Sequence, residues 1–235
     1  MNPSLDLQTS MAETEVLCFD VYGSTHNQHS IVETLAEVAD VSVAVAEEMS
    51  ELWVEHQIDY SMEVTLMGEY DSWWTLTERA FEWVLDYYGI DLTAAEREEV
   101  MNAYEHLELY EGIEPFDRLS AAGHELYILS DGNPEMLETL AANSGFDGVI
   151  DGIVSVEEVG KFKPAPEVYH SIGTHVDRPA EECTMVATHT FDVAGARNAG
   201  LNGILINRHR VPEHRLGFEP DLVVPSYAAL ADEIA

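Results

Sequence analysis

Basic residues are few in this chain. It carries 10 Lys+Arg against 45 Asp+Glu, and lysine occurs only as Lys161 and Lys163. Gripping a phosphate backbone or an anionic lipid surface takes clustered cations, so nucleic acid and membranes are poor partners. Cysteine is scarcer still. Cys18 and Cys183 each lie near the start of an apolar run that reads as a strand, which predicts two buried thiols rather than a bridge. No uncharged apolar run approaches the ~18 residues of a spanning helix. Residues 1–15 hold neither a basic nor an apolar leader segment, and no repeat or low-complexity stretch occurs. A cytoplasmic protein is expected.

What is present is enough for a core. The chain has 235 residues, 46% of them hydrophobic, with four Trp, seven Phe and ten Tyr, which argues against disorder. That length exceeds the ~100–200 residues of one ordinary domain and predicts a domain with a smaller insert. The formal net charge of -35 is spread along the chain rather than gathered in a tail. Such a surface repels itself unless screened, and the Debye length falls to about 3 Å in 1 M salt. A halophilic, salt-accumulating source is the expectation.

Val16-Leu17-Cys18-Phe19 is an apolar run stopped by Asp20 and turned by Tyr22-Gly23-Ser24, the pattern of a buried strand with a functional tip. Apolar residues then recur at helical spacing through Ile31 to Val38, Val45 to Ile58, Trp73 to Tyr88 and Val100 to Leu109. Asp71-Ser72 and Thr93 read as N-caps, and Met67 and the other methionines as core filling. From Pro115 strands alternate with helices. Strands are predicted at Glu125–Leu129, Gly148–Ser155, Thr184–Ala187, Gly203–Ile206 and Leu222–Val224. Helices follow Asn133-Pro134, run from Pro164 to His175, and run from Phe191 to Ala199. This alternation predicts an α/β fold, a Rossmann-like parallel sheet core (residues 1–27 and 110–235) with an inserted all-helical cap (28–109).

Ligands of open α/β sheets bind outside the carboxyl ends of the strands. The residues there are Asp20, Ser130-Asp131, Lys163, and Thr188-His189 with Asp192. An unpaired carboxylate ending a buried strand is costly, so Asp20 needs a partner or a use. Lys163 can hold such a carboxylate ionised as a nucleophile. Ser130 precedes a helix N-terminus whose N–H groups can receive an anion. Taken singly, Ser130 also reads as part of a turn and cap cluster, and Asp192 as an acid complementing a helix dipole.

Four segments together say more. Phe19-Asp20-Val21-Tyr22-Gly23-Ser24, Leu129-Ser130-Asp131-Gly132, Lys163-Pro164-Ala165-Pro166-Glu167-Val168-Tyr169 and Asp192-Val193-Ala194-Gly195-Ala196-Arg197 resemble the four motifs of the haloacid dehalogenase superfamily, in order and at its spacing. The insert, through Leu52-Trp53, Ile58-Asp59-Tyr60 and Leu66-Met67-Gly68-Glu69-Tyr70, is similar to the cap of the type II L-2-haloacid dehalogenases. The resemblance implies that Asp20 displaces halide from C2 of a short haloacid, forming an aspartyl ester that water hydrolyses. It implies that Lys163 pairs with Asp20, that Ser24 and Ser130 bond the nucleophile or the substrate carboxylate, and that Asp192 orients Lys163 and the water. Tyr169 supports Lys163. Tyr22, Ile58, Trp73 and Phe191 fall at positions that surround the substrate's alkyl group, although each taken singly also reads as core packing. No metal or cofactor is implied, and a homodimer is.

The chain also departs from that family. Val54 stands where the family carries an Arg after the cap Trp, and Asp131 where it carries Asn. An anion site has thus lost a cation and gained an acid. A proton on Asp131 or donation from His189 would compensate, while His26, His29 and His56 are expected on the surface near the cleft mouth. Two other readings stand beside this one. A magnesium-dependent phosphatase or phosphonatase-like hydrolase would use Asp20 and Asp192 for the metal, but Tyr22 occupies the position of that branch's second Asp. A vestigial site with the cap as a binding surface fits less well with Asp20, Lys163 and Asp192 all present.

Overall fold

The computed structural model describes residues 15–212 and 214–235. Six parallel strands, β1 Val16–Phe19, β2 Glu125–Ser130, β3 Gly152–Ser155, β4 Cys183–Ala187, β5 Asn202–Ile206 and β6 Leu222–Val224, lie in the order β3-β2-β1-β4-β5-β6. β1 is central because all four of its side chains are apolar and can be buried on both faces. Val16 pairs with Glu125 on one side and Cys183 on the other, so Phe19 lies level with Ile128 and Val186. Strand order reverses between β1 and β4. Asp20 and Thr188-His189 therefore flank the switch point where such sheets bind ligands.

Between β1 and β2 the described residues form helices α1 Val32–Val38, α2 Val43–Met67, α3 Trp73–Tyr88 and α4 Ala94–Asn102. Ser72 caps α3, and Thr93 with Glu96 forms a capping box on α4. α2 outruns its predicted end at Ile58 because nothing breaks it before Gly68, which closes the helix at φ 75°. Its buried stripe, Met49, Trp53, Gln57 and Ser61, faces α3, where Trp53 Nε1 donates to Thr77 O at 2.9 Å. Met67 lies beyond that stripe and is 67% exposed, so it is not core filling. The helix predicted over Val100 to Leu109 ends at Asn102, passes through a 3-10 turn at Ala103–His106, and goes extended. Asn27 N donates to Glu108 O at 2.8 Å and Tyr110 N to Thr25 O at 3.0 Å, so the two chain crossings run side by side.

Helices α5 Glu114–Ala121, α6 Pro134–Ser144, α7 Pro166–Val176, α8 Thr190–Asn198 and α9 Tyr227–Ile234 complete the fold. Phe19 meets Phe116 of α5 and Tyr227 of α9 with ring centroids 5.3 and 6.0 Å apart, which ties those helices to β1. Each such buried ring contributes about 1.5–3 kcal/mol. The strand predicted from Gly148 begins only at Gly152. Val149 N bonds Phe146 O in a 3-10 turn first, and Asp151 then turns its carboxylate to Leu126 N at 2.8 Å. Cys18 and Cys183 are both buried free thiols, as expected.

Candidate active site

The site begins with a strand that has run out of apolar residues. Asp20 N still donates to Val186 O at 3.1 Å, so its backbone continues the sheet while its carboxylate sits at the rim. Gly23 then turns the chain at φ 75°, and a Cβ there would stand 2.8 Å from His189 Cε1. Both the conformation and the contact require glycine. The turn brings Ser24 back, and its hydroxyl donates to Asp20 Oδ2 at 2.7 Å while accepting from Thr188 N at 3.0 Å.

Lys163 approaches from the loop after β3. Its Nζ donates to Asp20 Oδ1 at 3.0 Å and to Asp192 Oδ2 at 2.8 Å, and Tyr169 OH donates to Asp192 Oδ1 at 2.8 Å. Lys163 is 2% exposed and Asp192 is fully buried. Burial works against charge on Asp20, but Lys163, His189 and Ser24 hold its carboxyl well below the ordinary carboxylate range. Burial would likewise neutralise Lys163, yet Asp192 and Asp20 keep its ammonium above the ordinary lysine range. Burial raises Asp192, against the pull of Lys163.

A small cavity of about 30 Å³ opens above Asp20, walled by Tyr22, Ser130, Asp131, His189 and Phe191 from one side and by Gln28, Ile58 and Trp73 from the other. Tyr22 stacks on Trp73 with centroids 5.9 Å apart, and Tyr22 OH and Trp73 Nε1 are both buried without a hydrogen-bond partner. His189 Nδ1 lies 3.3 Å from Asp20 Oδ2. Ser130 Oγ accepts from Gly132 N at 3.3 Å and makes no bond to Asp20. Asp131 Oδ1 accepts from Lys163 N at 3.1 Å, and burial pushes its carboxyl up to about 7 against the pull of Lys163.

The structure thus brings Asp20, Tyr22, Ile58, Trp73, Ser130, Asp131, Lys163, His189, Phe191 and Asp192 to one cavity. Ser24 and Tyr169 stand behind it, bonded to Asp20 and Asp192. Val54 is not among the lining residues. His26 corrects the expectation of a surface histidine. It is fully buried between Thr25 and Ser144, with ring nitrogens 3.0 Å from each hydroxyl, and burial lowers it to about 4. Gln28 went unrecognised in the sequence. Its Nε2 donates to Gln57 Oε1 at 3.3 Å, and Gln57 is held by Thr77 and Tyr104. The available signal was a polar residue at 57 inside the stripe of Met49, Trp53 and Ser61.

A carboxylate kept ionised by a buried lysine stands at the carboxyl end of the central strand of a Rossmann-like sheet, an arrangement chemically suited to nucleophilic attack. The chain belongs to the haloacid dehalogenase-like hydrolases, whose family model matches residues 14–200. It is 33% identical over 195 residues to (S)-2-haloacid dehalogenase 4A of Burkholderia cepacia, covering 83% of each chain. It is 34% identical over 197 residues to (S)-2-haloacid dehalogenase 1 of Pseudomonas sp. strain CBS-3, covering 83% of this chain and 85% of that one. A solved dehalogenase with an intermediate complex superposes with a TM-score of 0.89 at 30% identity, over 94% of this chain and 97% of the other.

Proposed function

We propose that the chain converts short L-2-haloacids to 2-hydroxy acids through an ester on Asp20. The observation that carries this is the row Asp20, Lys163, Asp192, in which one ammonium holds two buried carboxylates. An Asp20 oxygen attacks C2 in line, and the carbon–halogen bond breaks with its electron pair leaving as halide. Configuration at C2 inverts. Halide needs no proton, which suits Tyr22 rather than an acid two positions after the nucleophile. Water then attacks the carbonyl carbon of the Asp20 ester. Its oxygen stays on Asp20, the older Asp20 oxygen leaves in the hydroxy acid, and one proton goes to solvent. Asp192 orients Lys163 and the water, and Lys163 stabilises the charge that develops on the ester.

In this reading residues 28–109 act as a cap whose paired crossings at 25–27 and 108–110 form the hinge. The 30 Å³ cavity has room for about one water, so a haloacid enters when the cap opens. Magnesium-dependent phosphoryl chemistry fits less well. Lys163 Nζ already bridges Asp20 Oδ1 and Asp192 Oδ2, and Tyr169 takes the other Asp192 oxygen. We add to the reading a cytoplasmic homodimer from a salt-accumulating host, on the grounds of resemblance and charge. No helix among the described residues is long and apolar enough to cross a membrane. Light scattering in molar KCl tests the dimer.

A single turnover with enzyme in excess over L-2-chloropropionate in H2(18)O tests the ester. Heavy oxygen should enter Asp20, as read by mass spectrometry of its peptide. Heavy oxygen in the hydroxy acid instead would mean direct attack by water and would overturn the mechanism.

A further inference from the structure

The cavity wall is short of positive charge for a site that takes an acid. Its permanent cation is Lys163, whose ammonium is already committed to Asp20 and Asp192, and the His189 ring is engaged with the same Asp20, Nδ1 lying 3.3 Å from Oδ2. Asp131 adds an acid to the same wall. The Gln28 amide is tied to Gln57, which Thr77 and Tyr104 hold in turn. Two lining side chains, Tyr22 through its OH and Trp73 through its Nε1, have no hydrogen-bond partner of any kind among the described residues; they are only 5% and 4% exposed and stack on each other. A buried donor left unpaired is costly, and a fold keeps two side by side where a ligand satisfies them.

We propose that the Trp73 indole N–H and the Tyr22 hydroxyl receive the negative charge of the bound acid, a neutral donor pair in place of a cation. Indole N–H is a donor only, so it discriminates for an anion and cannot serve a cation or a second donor. Trp73 comes from α3 and Tyr22 from the turn after β1, so the pair forms only when the insert is closed over Asp20. The phenol proton stays in place because burial and the neighbouring Tyr104 and Asp20 push Tyr22 above its ordinary range. The ligand group is either the substrate carboxylate or the departing halide. Both are anions in reach of the same wall, and the experiment separates them.

This inference rests on the dehalogenase reading but is tested apart from turnover. The indole N–H signals of nitrogen-15-labelled protein are followed in chloride-free sodium sulfate, with Trp73→Phe assigning the Trp73 signal. Sodium bromide and L-lactate are added separately, up to concentrations that protect the protein from thermal unfolding. A shift of the Trp73 signal with bromide assigns the pair to the halide, and a shift with lactate assigns it to the carboxylate. If either ligand protects the protein while the Trp73 signal stays fixed with both, or if neither protects it, the inference is overturned. Kinetics supply the second reading. Trp73→Phe keeps the ring stack on Tyr22 and should lower kcat/KM for L-2-chloropropionate about 10- to 100-fold, the scale of one hydrogen bond to a charged partner. The loss falls in KM if the carboxylate is held and in kcat if the halide is. An unchanged kcat/KM in a variant that turns over would overturn the inference, whereas absence of turnover in the unsubstituted protein would strike the dehalogenase reading alone.

Discussion

Lys163 Nζ stands 3.0 Å from Asp20 Oδ1, with both side chains withdrawn from water. The ammonium also reaches Asp192, so removing it leaves two buried carboxylates without a counterion. Lys163→Met keeps the bulk of the stem. It should cost about 3–5 kcal/mol of folding stability, the scale for stripping one partner from a buried ion pair. Urea denaturation reads this, and halide release should vanish as well. A loss below ~1 kcal/mol would mean that the row carries little charge.

Asp131 is expected to set the pH dependence of the site. Its folded pKa of about 7 lies above the unfolded value of about 3.9, so between those values the folded state holds more protons. Its contribution to stability therefore falls as pH rises from about 4 to about 7 and is flat beyond. Ionised Asp131 also faces an anionic substrate, with a repulsion of ~4 kcal/mol for a unit pair 4 Å apart at an effective dielectric of 20. kcat/KM should fall as pH rises through about 7. Asp131→Asn should remove that fall and raise kcat/KM at pH 8. A profile unchanged by the substitution would show that another group titrates.

Gly195 lets α8 approach α7 closely. A Cβ there would stand 2.6 Å from Tyr169 OH and 2.7 Å from Pro164 Cβ. Gly195→Ala should therefore cost about 1–3 kcal/mol by overpacking. Because Tyr169 holds Asp192, it should also lower kcat more than it raises KM. Thermal melts and steady-state kinetics check both, and a stable variant with full kcat would contradict the packing argument.

The acidic surface makes its own prediction. With a formal charge of -35, Tm should rise by several degrees between low and molar KCl as self-repulsion is screened. A Tm that stayed flat across that range would remove the argument for a salt-accumulating host.

The sheet was legible in the sequence because Val16–Phe19 and the runs before Ser130 and Thr188 are unbroken apolar segments that end in polar residues. That same pattern exposed the site, since each motif follows a strand and parallel strands place their carboxyl ends on one rim. β3 starts later than its composition predicts because Val149 and Ile150 have strand composition but follow a 3-10 turn. Gln28 escaped notice, and His26 is buried where a surface position is expected, because periodicity says which face of an element is buried and nothing about an isolated polar side chain near a turn. That Trp73 is a donor without a partner is a property of its surroundings, which local spacing does not contain.

Halide release from L-2-chloropropionate, with a chelator present and in halide-free molar salt, tests the central claim most directly when the unsubstituted protein is compared with Asp20→Asn. The account predicts steady release by the unsubstituted protein and none by the variant, with the variant's circular dichroism unchanged. Release by a folded Asp20→Asn protein, or none from the unsubstituted one, would contradict it.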